Sequence, residues 1–533
     1  MPIVNNEEVA NNKEKLSGSE KKKNVNLAGK ECKFDNAEWP SEQMAINGLY
    51  SSWITPNILA MARPNTANMT QFDIITQFKR NGISSIINLE LPGEHASCGP
   101  GLEPSGFTYD PQQFMDNDIF FYNFGWPDWS VGSLSGVLDA VGVMQFALAQ
   151  GKVAVHCHAG HGRTGVLIAC YLVYANRMNP WEAVHYVRTK RPRCLQTESQ
   201  VLFLKSFCQY LKHLHVIFST DNSDDPTFHQ FTLPQFLIRQ RRISHGLEVR
   251  KYKNVPKIIS KCCEQLLLLV DCDCANSSNK LNACADSGLL SGGEIIARAM
   301  TETVYDKNVN KQVAELKDIL NTKVSGYEEL KKVTNPVVVS KLMWDWIDEL
   351  KEPVLPAQDL PHMLEYTGNP KQGLSVLNKG ACHLVELLFT TIARLEPLKD
   401  DTERSVVMRA LSTLSHQNMV TEVELLFSGN GAVIQRTSNG SEMMKESTAT
   451  RMMYFFMHLL HLLQLSASSN EKSSRSRKES EASTIKALSG DLSGSASDKT
   501  TCEAARSESA VSAKRNISRS SFVTNEIINQ ELL

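Results

Sequence analysis

At 533 residues the chain has room for two or three domains, and 42% hydrophobic with 21% charged residues is the make-up of a globular protein able to bury a core. A formal net charge of −2 excludes general nucleic-acid affinity, which needs a concentrated excess of Lys and Arg to displace counterions, so any preference for anions must be local. Met1 to Lys23 lack the apolar core of a secretory signal, and the longest apolar run, Val166 to Ala175, is about half the ~20 residues that cross a bilayer. A cytoplasmic protein with no transmembrane segment is expected.

Residues 1–40 are polar, with a basic cluster at Lys21 to Lys23, and read as a disordered arm. From about Trp53 short apolar runs alternate with helical patterns. Ile58 to Met61, Ile86 to Leu89, Ile119 to Phe124 and Val153 to Val155 read as strands. Val137 to Gln150 carries apolar residues at helical spacing between the last two, making a strand-helix-strand unit. Residues 41–220 are therefore expected to form an α/β fold with a central, mainly parallel sheet flanked by helices. The loops after Phe124 and after Val155 should open at the same sheet edge, where such folds place ligands.

Residues 221–291 read as a basic helical linker. Within it Gln235 to Lys261 carries Arg239, Arg241, Arg242, Arg250, Lys251 and Lys253, a solvated helix face or a dock for an acidic partner or membrane surface. Residues 292–465 are patterned as a mostly α-helical second domain, with Trp344 and Trp346 expected in its core, and residues 466–533 as a Ser-rich disordered tail open to phosphorylation. The thirteen cysteines are scattered, which suits reduced thiols. The densest group, Cys262, Cys263, Cys272, Cys274 and Cys284, has no CxxC pair and reads as buried thiols rather than zinc ligands. No metal or cofactor is expected.

The chemistry concentrates in His156-Cys157-His158-Ala159-Gly160-His161-Gly162-Arg163-Thr164-Gly165, between a strand and a wholly apolar helix. Gly160 and Gly162 let this loop curl, so the backbone N–H groups of His158, Ala159, Gly160, His161 and Gly162 can converge on a phosphate beside the positive end of the helix. That field favours a thiolate; such thiols titrate at about 3.5 to 7.5 against ~8.5 for a free one. Cys157 is therefore the candidate nucleophile. Arg163 can set a planar fork on two phosphate oxygens, and Thr164 can hydrogen-bond the departing sulfur.

Ester cleavage also needs an acid for the leaving oxygen and a base for water, and one carboxyl can serve both steps. Trp126-Pro127-Asp128 follows the Ile119 to Phe124 run, which makes Asp128 the candidate; Asp116, Asp118 and Asp139 are worse placed. Gln196 and Gln200, opening a helix after Lys190-Arg191-Pro192, could hold the attacking water.

Together these motifs resemble the protein tyrosine phosphatase superfamily over about residues 45–220. The runs Gly48 to Thr55, Asn57 to Pro64 and Pro92 to Gly99 resemble its branch near the cell-division-cycle type of dual-specificity phosphatases. The resemblance implies a phosphorylated protein substrate, a cysteinyl-phosphate intermediate and a role at the cilium or centrosome. The chain lacks the Lys-Asn-Arg-Tyr element that deepens tyrosine-specific pockets, which favours dual specificity. His158 and His161 stand where phosphoinositide phosphatases often carry lysines, so a lipid phosphatase is the alternative, and a phosphate-binding scaffold a third reading. Asn335 to Pro356 resembles part of the Rho GTPase-activating helical domain without its arginine-finger loop, and points to protein docking.

Overall fold

The computed structural model describes residues 39–99, 101–219, 230–270, 291–395, 397–419 and 443–467. Residues 1–38 of the expected arm and 468–533 of the expected tail, together with Cys272, Cys274 and Cys284, lie outside the described residues.

A five-stranded sheet runs in the order β1-β2-β5-β3-β4, with β1 (Ser51–Thr55), β2 (Ile58–Met61), β3 (Ile83–Asn88), β4 (Phe120–Asn123) and β5 (Lys152–His156). Only β1 is antiparallel, turning straight into β2; the other pairings are parallel, as the strand-helix-strand pattern requires. β2 has all four residues buried because helices cover both its faces. Side chains alternate between two cores. Leu59, Met61, Ile86 and Ala154 pack with Phe78, Tyr109 and Phe114, while Ile58, Ala60, Ile87, Val153 and Val155 pack with the helices of the opposite face.

α1 (Thr66–Gln71) and α2 (Ile74–Asn81) lead into β3, and a short α3 (Gln112–Met115) precedes β4. α4 (Leu134–Leu148) crosses from β4 to β5, capped by Ser133, whose Oγ accepts the Gly136 N–H. α5 (Gly162–Asn176) buries eleven of its fifteen residues, which its all-round apolar sequence demands. α6 (Pro180–Lys190) opens on a capping box of Asn179 and Glu182, and α7 (Glu198–His215) on Thr197.

A further core begins at Val216 and continues through the helices to Leu460. The basic stretch is built into it: α8 (Leu233–Ile243) buries Leu233, Phe236 and Leu237, α9 (Leu247–Lys251) follows, and α10 (Lys257–Val270) buries Ile258, Ile259, Cys262, Cys263 and Leu266. Trp344 and Trp346 are buried as expected, their indole N–H groups donating to the Met300 and Ile217 carbonyls. Among the described residues no helix is long and apolar enough to cross a membrane.

Candidate active site

Parallel pairing of β5, β3 and β4 brings the loops that follow them to one sheet edge. Cys157 stands directly after β5 and is 3% exposed. The loop behind it rests on two anchors. His156 donates through Nδ1 to the Cys157 carbonyl (3.2 Å) and accepts the Tyr109 hydroxyl at Nε2 (2.7 Å); burial pushes this imidazole down to about 3, so it stays neutral and keeps that tautomer. Arg191, wholly buried with its guanidinium 4.0 Å over the Tyr50 ring, donates to the carbonyls of Gly160 (2.7 Å) and Ala159 (3.0 Å). A peptide is planar, so drawing these carbonyls to one side turns the following N–H groups to the other.

Gly160 has φ +68, and a Cβ there would drive into the Met61 carbonyl; over Gly162 it would meet Gln200 Nε2 at 2.9 Å and Gln196 Oε1 at 3.0 Å. Both glutamines thus reach the loop, Gln200 buried and holding the Gln196 N–H on its own carbonyl oxygen (2.8 Å). Thr164 is buried in the first turn of α5, its hydroxyl without a hydrogen bond among the described residues. The two loop histidines part company. His158 is half-buried and stacks on His95 (ring centres 4.3 Å apart), whereas His161 is 2% exposed and packs toward Tyr50.

Arg163 is wholly buried. Its Nη1 is held by the Leu89 carbonyl (2.9 Å), the Trp126 carbonyl (2.7 Å) and Glu94 Oε2 (2.7 Å), while Nε and Nη2 make no hydrogen bond among the described residues. Nε and Nη2 form one edge of the guanidinium, the fork that grips two oxygens of an oxyanion. Burial disfavours the Arg163 charge, but Cys157, Asp128 and Glu94 outweigh it and hold the guanidinium above its ordinary value.

Asp128 faces this fork, Oδ1 lying 3.4 Å from Arg163 Nη2 and accepting the Trp129 N–H (3.0 Å), with Oδ2 3.1 Å from His95 Nε2. Burial works to raise its carboxyl, yet the His95 hydrogen bond and the Arg163 charge bring it below the usual range. Glu90, beside Arg63 at 3.3 Å, goes the other way, pushed up to about 7 by burial.

The loops after β4 and β5 meet as expected, bringing Cys157, Arg163, Asp128, Gln196 and Gln200 together. Sequence reasoning used the third loop, after β3, only for the family resemblance of Pro92 to Gly99 and gave no site role to its Glu94 and His95. β3 lies between β5 and β4, so its loop is wedged between the other two. The local signal was a carboxylate next to an imidazole, Glu94-His95, between Gly93 and Gly99. Tyr109 and Arg191 were also missed, since each acts from a distant segment on the back of the loop.

Residues 134–210 match the family model of the dual specificity phosphatase catalytic domain. The chain carries a dual specificity phosphatase domain. The match runs from α4 into α7 and takes in the whole phosphate loop and both glutamines, while Asp128 precedes it. The chain is 56% identical to protein tyrosine phosphatase domain-containing protein 1 of Bos taurus over 245 residues, 46% of this chain and 30% of that protein. To the Mus musculus protein of the same name it is 44% identical over 360 residues, 66% of this chain and 47% of that one. It therefore spans less than half the length of these relatives, and the longer match runs past the phosphatase domain into the helices. Dual specificity protein phosphatase CDC14C of Symphalangus syndactylus is 33% identical over 198 residues, 34% of this chain and 37% of that protein.

Proposed function

We propose that the chain is a protein phosphatase that hydrolyses phosphotyrosine, and phosphoserine or phosphothreonine, through a cysteinyl-phosphate intermediate. The reading is carried by the Nε and Nη2 of Arg163, a buried fork free of hydrogen bonds among the described residues, beside Cys157 and with Asp128 facing it. The Cys157 sulfur attacks phosphorus, the ester P–O bond breaks, and the leaving oxygen takes a proton from Asp128. Arg163 and the loop N–H groups hold the equatorial oxygens. Asp128, now a carboxylate, then takes a proton from a water held by Gln196 and Gln200; the water oxygen bonds to phosphorus, the S–P bond breaks, and Thr164 donates to the departing sulfur. Asp128 must be protonated for the first step, and a phosphate dianion arriving at Arg163 favours this by opposing the carboxylate charge.

A phosphoinositide reading drew on His158 and His161 together. The burial of His161 against Tyr50 speaks against it, since one half-buried imidazole is left to meet a second phosphate. A pure phosphate-binding scaffold has no need of the full set Cys157, Arg163 and Asp128. Of the basic residues, Lys251 and Lys261 pair with Glu264 (2.9 and 2.6 Å), Lys257 pairs with Glu248 (2.8 Å), and Arg239 lies over the Phe231 ring, which leaves Arg241, Arg242, Arg250 and Lys253 as the exposed surface for an acidic partner. Docking by the helical part, a cytoplasmic location and work at the cilium or centrosome complete the proposal, on the resemblance alone; imaging the tagged full chain tests the location.

The central test is turnover by the full chain of phosphotyrosine, phosphothreonine and phosphoserine peptides beside soluble phosphoinositides. Cys157→Ser is expected to abolish release of phosphate from an aryl phosphate while phosphate binding stays measurable; full activity in that variant ends the covalent mechanism, and preference for inositol head groups overturns the protein-substrate reading. Asp128→Ala should lower turnover about 100-fold or more with binding retained.

A further inference from the structure

The His95 side chain touches the acid loop through Asp128 and the phosphate loop through His158. Its backbone adopts φ +52, a left-handed conformation that few non-glycine residues hold unless the surroundings demand it. The turn is built: the His95 carbonyl accepts the Cys98 N–H (3.0 Å), the Leu91 carbonyl accepts that of Glu94 (3.2 Å), and Gly93 donates to Gly106 (2.9 Å). On this turn Glu94 points to Arg163 and the next residue, His95, points to Asp128. The imidazole is pinned from the other side by its stack on His158, the planes 22° apart.

The bond to Asp128 distinguishes the two carboxyl oxygens. An ionised carboxylate only accepts, so His95 donates through Nε2–H to Oδ2 (3.1 Å), and Oδ1 is left turned toward Arg163 Nη2. Oδ1 is thus the oxygen on the phosphate side, the one that must pass its proton to the leaving group. Oδ1 also accepts the Trp129 N–H (3.0 Å), so without His95 the carboxyl keeps contacts at that one oxygen alone and is free to turn about it on its surface loop.

We propose that His95 is a positioning residue for the acid, fixing the Asp128 rotamer so that Oδ1 faces the leaving oxygen. This rests on Asp128 being the acid, and it predicts an effect graded by the substrate's need for a proton. In the full chain, His95→Ala should lower kcat/KM for phenyl phosphate, a poor leaving group, about 10- to 100-fold, and for p-nitrophenyl phosphate, a good one, less than about threefold. In an Asp128→Ala background the same change should add no further loss, because there is no acid left to position. His95→Gln, which keeps a donor at a similar reach, should recover most of the phenyl phosphate rate. Orthovanadate should raise the melting temperature of His95→Ala as it does that of the wild type, since the phosphate loop itself is untouched.

An equal fall on both esters, a full extra loss in the Asp128→Ala background, or loss of the vanadate effect overturns the proposal. The two readings fail separately. If Asp128→Ala itself affects both esters alike, the acid is wrongly assigned and the role of His95 goes with it; if only His95→Ala does so, the acid stands and His95 is a packing residue.

Discussion

Arg191 holds two carbonyls of the phosphate loop from behind, and its guanidinium geometry is what permits this. Nε and Nη2 reach Gly160 and Ala159 together, and Nη1 reaches the Ser52 hydroxyl at 3.1 Å. Lysine would bring a point charge to the same cavity without the planar fork. Arg191→Lys is expected to leave at least one of those buried carbonyls unpaired, at a cost of about 1–3 kcal/mol, and to lower both turnover and orthovanadate affinity about 10-fold or more. A variant with wild-type vanadate affinity would show that the loop holds its shape unaided. Nothing local marks Arg191 as the support of this loop. Lys190-Arg191-Pro192 reads as the end of a helix, and its partners Gly160 and Ser52 lie 31 and 139 positions earlier in the chain. Cys157 and Arg163, by contrast, stand six positions apart on one loop, and their relation survives without knowledge of the rest of the chain.

At the scale of elements, the phosphate loop is shaped by the strand beside it as well as by the strand and helix that bound it. β2 pairs with β5 in parallel, Met61 opposite His156, so the carbonyl at the end of β2 runs under Gly160. The absence of a Cβ is required there twice over, by φ +68 and by that contact. Gly160→Ala should therefore abolish turnover and lower the melting temperature by several degrees, the strain being of order 1–3 kcal/mol before any clash is relieved. Retained activity would mean that the loop can re-form elsewhere. The strands β2 to β5 and the helices α4 and α5 were legible because their apolar runs are continuous or helically spaced. β1 was not: Ser51-Ser52-Trp53-Ile54-Thr55 is short, polar and held by hairpin pairing to β2.

At the scale of the molecule, the phosphatase domain and the helices meet where α7 ends. His215, its last residue, is followed by Val216, which opens the helical core. Burial, reinforced by Arg177, pushes the His215 imidazole down to about 3 from its ordinary 6.5. The folded state therefore binds fewer protons than the unfolded one between these values. The contribution is intact above pH 6.5 and is lost as pH falls toward 3. Replacing His215 by Asn removes that titration, so between about pH 7.5 and 5 the wild type should lose about 2 kcal/mol of stability relative to His215→Asn, read from denaturant midpoints at the two pH values. Equal shifts in both proteins would refute a buried neutral imidazole at this junction.

By itself the sequence determined the fold class and picked out the candidate nucleophile, phosphate clamp, acid and glutamines, because strand, loop and helix periodicities and a short loop motif are encoded in neighbouring residues. It also marked Trp344 and Trp346 as core. Tertiary structure decided what neighbours cannot encode. The order β5-β3-β4 inserts the loop of Glu94 and His95 between the loops of Cys157 and Asp128, the packing of Tyr50 withdraws His161 from the mouth while leaving His158 there, and the helical core takes up much of the basic stretch. In each case the deciding contact joins segments far apart along the chain, and its strength comes from burial that exists only once the sheet is assembled.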